Sequence, residues 1–234
     1  MRIATYNVQS GRDAWGQLHL DRTAEAILSL NADICGLNEV RVGCADSNGI
    51  DQIAYLAQHT NMEGRFAKAI PLGDGSYGIG LLSRFPIAGF EVHPVPEVPP
   101  AMREPGYYEP RVIYRAEVVC PAGPLAVYGT HFGLTRPERA NAVSLFKTLL
   151  LAETLPDIVF MGDLNAEPCD PVIKQLETLL VNTHKPGQPV LTHHTLNLRG
   201  TIDYIFVSHT FNFTPAQAVY ITASDHLPIL VDIG

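Results

Sequence analysis

The chain has 234 residues, 46% hydrophobic and 17% charged, and its 16 basic and 24 acidic side chains leave a net charge of −8. That length holds one large domain with an ample core, or two small ones, and the composition is ordinary for a globular enzyme. The acid excess argues against avid, non-specific binding of a nucleic-acid backbone, which takes a basic face, although a local basic cleft stays open.

The opening MRIATYNV enters a strand pattern at once, without the charged head and apolar stretch of an export signal. No apolar run nears the ~20 residues of a membrane span. A cytoplasmic protein without a membrane span is therefore expected. Strands are predicted where short β-branched and aromatic runs are bounded by Gly, Pro, Asn or Asp, and helices where apolar residues recur at helical spacing. In chain order, residues 3–8 read as a strand and Leu20, Ala24, Ile27 and Leu28 as one helical stripe. Residues 33–37 form the next strand, Ile53, Leu56 and Ala57 a shorter helical stripe, and residues 78–82 a further strand. Residues 94–110, PVPEVPPAMREPGYYEP, carry too much proline for a central strand or helix and read as a surface loop. Strands follow at 112–119 and 125–128. Thr135-Arg136-Pro137-Glu138 has capping-box form, and Val143, Phe146 and Leu150 continue as an apolar helix face. After a strand at 158–161, Asp170-Pro171 starts a helix carrying Ile173, Leu176 and Leu180. Three last strands are expected at 202–207, 218–221 and 227–233.

Cys35, Cys44, Cys120 and Cys169 are widely spaced with no C-x-x-C pair, so neither a zinc site nor a disulfide framework is expected. A loose echo joins the two halves. A strand, a helix and a strand ending in Glu39 are matched later by a helix and a strand ending in Asp163 and Asn165. Two similar halves packed sheet against sheet, within one domain over residues 1–234, would produce that echo.

Polar residues recur at the ends of the apolar strands. Asn7 ends IATYN, Glu39 ends ICGLNE, His131 ends VYGTH, and Asp163 with Asn165 ends IVFMGDLN. Asp203 enters IDYIFVS, and Asp225-His226 precedes LPILV. In layered α/β proteins ligands bind where strand ends and their loops converge. Carboxylates, amides and histidines aimed at one rim suit a hard cation and a phosphate; Mg²⁺ takes oxygen ligands and often only one or two protein carboxylates.

Taken in order, TYNV, LNEV, THF, GDLNAEP, IDYIFVS and SDHLPI resemble the motifs of the endonuclease/exonuclease/phosphatase superfamily, which includes deoxyribonuclease I, and they span Asn7 to His226. The combination is specific where each motif alone is weak. The resemblance implies a four-layer α/β sandwich: two packed mixed, mostly antiparallel sheets flanked by helices. It implies a Mg²⁺-dependent phosphoesterase, with Mn²⁺ as a substitute, hydrolysing a phosphodiester or phosphomonoester by in-line attack of an activated water. A nuclease or abasic-site endonuclease acting on DNA or RNA is the alternative, and a catalytically inactive binding module of the same fold stands behind it. The substrate would be a small-molecule, lipid-headgroup or nucleic-acid phosphate ester, handled by a monomer.

Carried onto this chain, the resemblance makes Glu39 the principal metal ligand, with Asn7 at the metal or the phosphate and Asp225 as a second carboxylate near the ion. Asp163 would orient or deprotonate the attacking water, and Asn165 would hold that water or a phosphate oxygen. His226 would sit at the scissile phosphate as base or transition-state stabiliser, with Asp203 on its other nitrogen. His131 would donate to a phosphate oxygen, and Arg111 would bind substrate beside the site. His193-His194 fits no motif. Adjacent residues on an extended chain point opposite ways, so the pair reads as a substrate-loop or surface feature rather than a metal site.

Overall fold

The computed structural model describes residues 1–234 except Pro186 and Pro189. Strand β1 (Arg2–Asn7), helix α1 (Leu20–Leu30), strand β2 (Ile34–Val42), helix α2 (Gln52–Thr60) and the hairpin of β3 (Glu63–Leu72) and β4 (Gly75–Ser83) form the first part. Next come β5 (Ile87–Pro94), β6 (Val112–Cys120), β7 (Gly123–His131), α3 (Arg136–Ala152), β8 (Ile158–Asp163) and the short α4 (Pro171–Leu176). The chain ends through β9 (Val181–Asn182), β10 (Asp203–Val207), β11 (Gln217–Ala218) and β12 (Ile229–Asp232).

These strands make two six-stranded sheets, ordered β11-β12-β1-β2-β4-β3 and β5-β6-β7-β8-β10-β9. Only β1–β2 and β7–β8 pair in parallel; the other pairs are antiparallel. Alternation along each strand sends one set of side chains between the sheets and the other set outward. Ile3, Ile34, Leu81 and Val231 of the first sheet meet Tyr114, Val127, Met161 and Ile205 of the second in one buried cluster. Outside the first sheet Ala4, Tyr6 and Leu37 pack against Leu20, Ile27 and Leu56 of the helices. Outside the second, Tyr128, Phe160 and Phe206 pack against Val143, Phe146 and Ile173. The result is the expected four layers, helix–sheet–sheet–helix. Strands with both faces covered read as unbroken apolar runs, which is why the central ones were legible.

Strands β3, β5 and β9 were not predicted from sequence, and each is an edge strand of its sheet. One side of an edge is open, so β3 (EGRFAKAIPL) and β5 (IAGFEVHP) mix charged and apolar residues instead of running apolar. The helix starts follow the caps in the sequence. Asp51 accepts from the Ala54 N–H, Asp170 from the Val172 N–H, and the Glu138 carboxylate accepts from the Thr135 N–H and hydroxyl. Helix α4 stops at Leu176, so Leu180 lies beyond it, and residues 95–111 form the expected loop, interrupted by one 3-10 turn at Pro100–Met102. No helix among the described residues is long and apolar enough to cross a membrane.

Candidate active site

The two sheets bring their polar strand ends to one rim. In the second sheet the register sets His131, Asp163 and Asp203 side by side across β7, β8 and β10. Gly162 makes that approach possible: its φ is 146°, and a Cβ there would fall 1.9 Å from the Thr130 carbonyl oxygen. In the first sheet Asn7 closes β1. Glu39 does not end its strand, as expected from sequence, but sits inside β2, where the ladder to β4 shifts register between Leu37 and Val40. With φ at 60°, Glu39 occupies this bulge in the left-handed region, and the irregularity re-aims its side chain.

Asn7 ties the sheets together at the rim. Its Nδ2 donates to Glu39 Oε1 at 3.0 Å and to Asp163 Oδ2 at 3.1 Å, while its Oδ1 accepts from the Gln9 N–H. Asp163 is 2% exposed; its Oδ1 accepts from the Asn165 N–H at 2.9 Å, and its Oδ2 lies 3.4 Å from His131 Nε2 and 3.7 Å from His226 Nε2. Asn165 donates its side-chain amide to the Phe132 carbonyl, which leaves its Oδ1 as an acceptor. His226 Nδ1 is 2.9 Å from Asp203 Oδ2, so the pairing expected from the strand ends is present.

Arg111 lies behind His131, with Nη1 3.2 Å from His131 Nδ1 and 2.8 Å from Glu109 Oε1. A guanidinium has only donors, so His131 Nδ1 accepts, and the His131 proton sits on Nε2, facing Asp163. Asp225 is half-buried and falls with His193 and His226 in a donor cluster that leaves out Glu39.

The model of the endonuclease/exonuclease/phosphatase family matches residues 4–226 of the chain. The chain belongs to this family. No curated protein matches it. Among solved structures, an endonuclease/exonuclease/phosphatase from Beutenbergia cavernae is 23% identical with a TM-score of 0.80, covering 100% of this chain and 71% of its own. A mannosyl-6-phosphatase from Bacteroides thetaiotaomicron is 17% identical with a TM-score of 0.77, covering 100% and 99%. The human nocturnin catalytic domain is 20% identical with a TM-score of 0.72, covering 100% and 93%. At these identities the likeness is one of fold.

The charges of this family member are crowded at the rim. Burial, more than any single neighbour, raises the Glu39 carboxyl, and the Asn7 hydrogen bond only partly offsets it. Burial likewise lifts Asp163 to about 7, with the Asp203 charge adding to it. Burial works against a charged His226, but the charge and hydrogen bond of Asp203, with Asp163 and Asp225 behind them, carry it up to about 10. His131 is held well below its usual value by burial and then by the positive charge of Arg111. Asp163, Asp203 and His226 offer donor atoms within 4.8 Å of one another, and Asp203 Oδ1 is buried without a partner. Two close carboxylates with one oxygen unsatisfied, joined to Glu39 through the Asn7 amide, form a donor set that fits a hard divalent cation.

Two residues that position the site were not singled out from sequence. Asn38, 2% exposed, donates Nδ2 to the Thr130 carbonyl at 2.7 Å and accepts from the Asp163 N–H at 3.0 Å, linking β2 to both β7 and β8. Ser224 donates to the Asn7 carbonyl at 2.7 Å and accepts from the His226 N–H at 3.2 Å. His193, read from sequence together with His194 as a substrate-loop or surface feature, lies beside the site with its ring centroid 4.6 Å from that of His226. Asn38 and Ser224 lie inside the LNEV and SDH motifs, and a buried amide or hydroxyl there was the available signal. The rings of His193 and His194 are 5.5 Å apart rather than on opposite sides. Their segment is joined to Gly200 and His226 by isolated bridges, so strand alternation does not govern it.

Proposed function

We propose that the chain is a Mg²⁺-dependent phosphoesterase that hydrolyses a phosphate ester by in-line attack of water on phosphorus. The observation that carries this reading is the convergence of two imidazole Nε2 atoms, 3.4 and 3.7 Å away, on the buried carboxylate Asp163 at the seam of the two sheets. Glu39 is the principal metal ligand in this proposal, with Asn7 and Asp225 as further contacts. When bound, Mg²⁺, or Mn²⁺ in its place, neutralises the non-bridging phosphoryl oxygens.

Asp163 takes the proton of the attacking water. Burial raises the Asp163 carboxyl above its ordinary value, which makes it a stronger base. Asn165 Oδ1, left open by the Phe132 contact, accepts the second water hydrogen. His226, already protonated through its partnership with Asp203, donates from Nε2 to a phosphoryl oxygen. His131 donates from Nε2 to another, because Arg111 fixes its tautomer. These preorganised donors meet the charge that grows in the transition state.

The net charge of −8 favours a small phosphate ester over a long polyanion. The fold relatives include both a mannosyl-6-phosphatase and nocturnin, so the class of reaction is supported more broadly than any one substrate. The deciding experiment is a panel of sugar phosphates, bis-aryl phosphate, phospholipids, inositol phosphates and nucleic acids, each with Mg²⁺ or EDTA and with an Asp163→Asn control. Turnover that depends on Mg²⁺ and on Asp163 is expected, strongest for a small ester. Turnover undiminished in excess chelator would remove the metal assignment. Preferred cleavage of DNA or RNA would turn the reading to a nuclease, and binding without turnover to an inactive module.

A further inference from the structure

Beyond the oxygen-lined position, the rim holds a second donor set of different chemistry. His193, Asp225 and His226 offer two imidazoles and one carboxylate with donor atoms within 4.8 Å of one another. The backbone frame is stitched together: the Thr195 N–H donates to the Asp225 carbonyl at 2.7 Å, the Leu227 N–H donates to the Thr192 carbonyl at 2.7 Å, and His193 bridges to His226. We propose that these three residues form a site for a borderline transition-metal ion, Zn²⁺ above all, and that its occupation inhibits the phosphoesterase by engaging His226 Nε2.

Tetrahedral zinc with ligands at about 2.1 Å needs donor atoms roughly 3.4 Å apart, so a set within 4.8 Å has little more than an ångström to draw in. The half-buried Asp225 carboxylate accepts from the Ser224 hydroxyl at 3.3 Å. At His226, Nδ1–H to Asp203 at 2.9 Å is the carboxylate–imidazole partnership that orients a metal-binding Nε2. Two imidazoles with a carboxylate select Zn²⁺ or Co²⁺ over Mg²⁺, which prefers oxygen, and leave a fourth position for water. Binding releases the proton of His226 Nε2 to solvent, and the charge of the ion replaces it among Asp163, Asp203 and Asp225. With its lone pair on the metal, Nε2 has no N–H left to donate to a phosphoryl oxygen. Only this inhibitory consequence rests on the phosphoesterase reading.

The test uses the whole chain, stripped with EDTA and dialysed, then titrated with Co²⁺ in excess Mg²⁺ while visible absorption and heat are followed. One equivalent is expected to bind with the intense absorption of a four-coordinate ion. His193→Ala and Asp225→Asn, each checked for native circular dichroism, are both expected to lose that absorption and at least tenfold in affinity. In turnover assays with Mg²⁺, Zn²⁺ is expected to inhibit the wild type, while His193→Ala keeps its turnover and needs at least tenfold more Zn²⁺. Equal Co²⁺ affinity and absorption in wild type and both variants would overturn the site. A Co²⁺ site lost in the variants, in a protein that turns over no phosphate ester, would instead overturn the proposed function and keep the metal site.

Discussion

Replacing Asn38 with alanine tests how the two sheets hold their shared rim. The side chain is 2% exposed and makes two hydrogen bonds, accepting from the Asp163 N–H and donating to the Thr130 carbonyl. Alanine leaves the Asp163 N–H buried without that acceptor, at a cost of about 1–3 kcal/mol, and removes a second bond worth about 1 kcal/mol net. The sum is about 2–4 kcal/mol, or a fall of very roughly 5–12 °C in Tm for a chain this long. Asp163 keeps its carboxylate but loses its backbone anchor, so kcat should fall about tenfold or more while Mg²⁺ affinity, assigned to Glu39 in the proposed function, changes little. Urea unfolding gives the first quantity and a Mg²⁺ titration of turnover gives the others. A stability loss below about 0.5 kcal/mol with unchanged kcat would refute the argument that this amide locks the sheets in register.

Asp163→Asn should keep the fold and much of the metal affinity yet lose turnover by about two orders of magnitude or more, the scale of a lost general base. Glu39→Gln should instead raise the Mg²⁺ concentration needed for activity; rescue of Asp163→Asn, but not of Glu39→Gln, by added Mg²⁺ would reverse the two roles. Asp203→Asn and His226→Ala should each lower the rate severely, with the double variant scarcely worse than His226→Ala, because the pair joined at 2.9 Å acts as a unit; multiplicative losses would show independence. Far from the rim, burial works against Glu153, but hydrogen bonds from Arg115, Tyr128 and the Leu155 N–H hold it at about 2, below its ordinary 4.5. A lowered carboxyl stabilises the fold above about pH 4.5 and loses that contribution as pH falls toward 2, so Glu153→Gln should cost on the order of 3 kcal/mol at neutral pH and progressively less in acid. A pH-independent difference in chemical unfolding would count against it.

What the sequence disclosed follows from where each residue is buried. Central strands such as β8, IVFMGD, are covered on both faces and announced themselves, while β3 and β5 lie on open edges and carried no such signature. The strand-end carboxylates and histidines could be picked out because several of them close apolar runs within motifs that follow one another in a single order. Glu39 does meet Asn7 at the rim, but its place inside β2 was not legible, since a register shift depends on the partner strand β4 and not on the local residues. Asn38 escaped notice, and His193 was read as a loop or surface feature, for a related reason. Their neighbours, Thr130 and Asp163 for Asn38 and Asp225 and His226 for His193, are brought near only by the folded chain.

The register of β1 against β12 has a practical consequence. Arg2 lies opposite Asp232 and Thr5 opposite Ile229, so both strands point their terminal ends away from the rim that Asn7 faces. The Met1 ammonium donates to the Ile233 carbonyl at 2.7 Å, which keeps the two ends of the chain together on that far side. Five residue steps along β1 separate Arg2 from Asn7, roughly 17 Å of extended chain. A tether, an affinity handle or a fused partner at either end therefore leaves the rim facing open solvent. Immobilised through its termini, the protein would present its site outward to substrates as large as a vesicle or as small as a sugar phosphate.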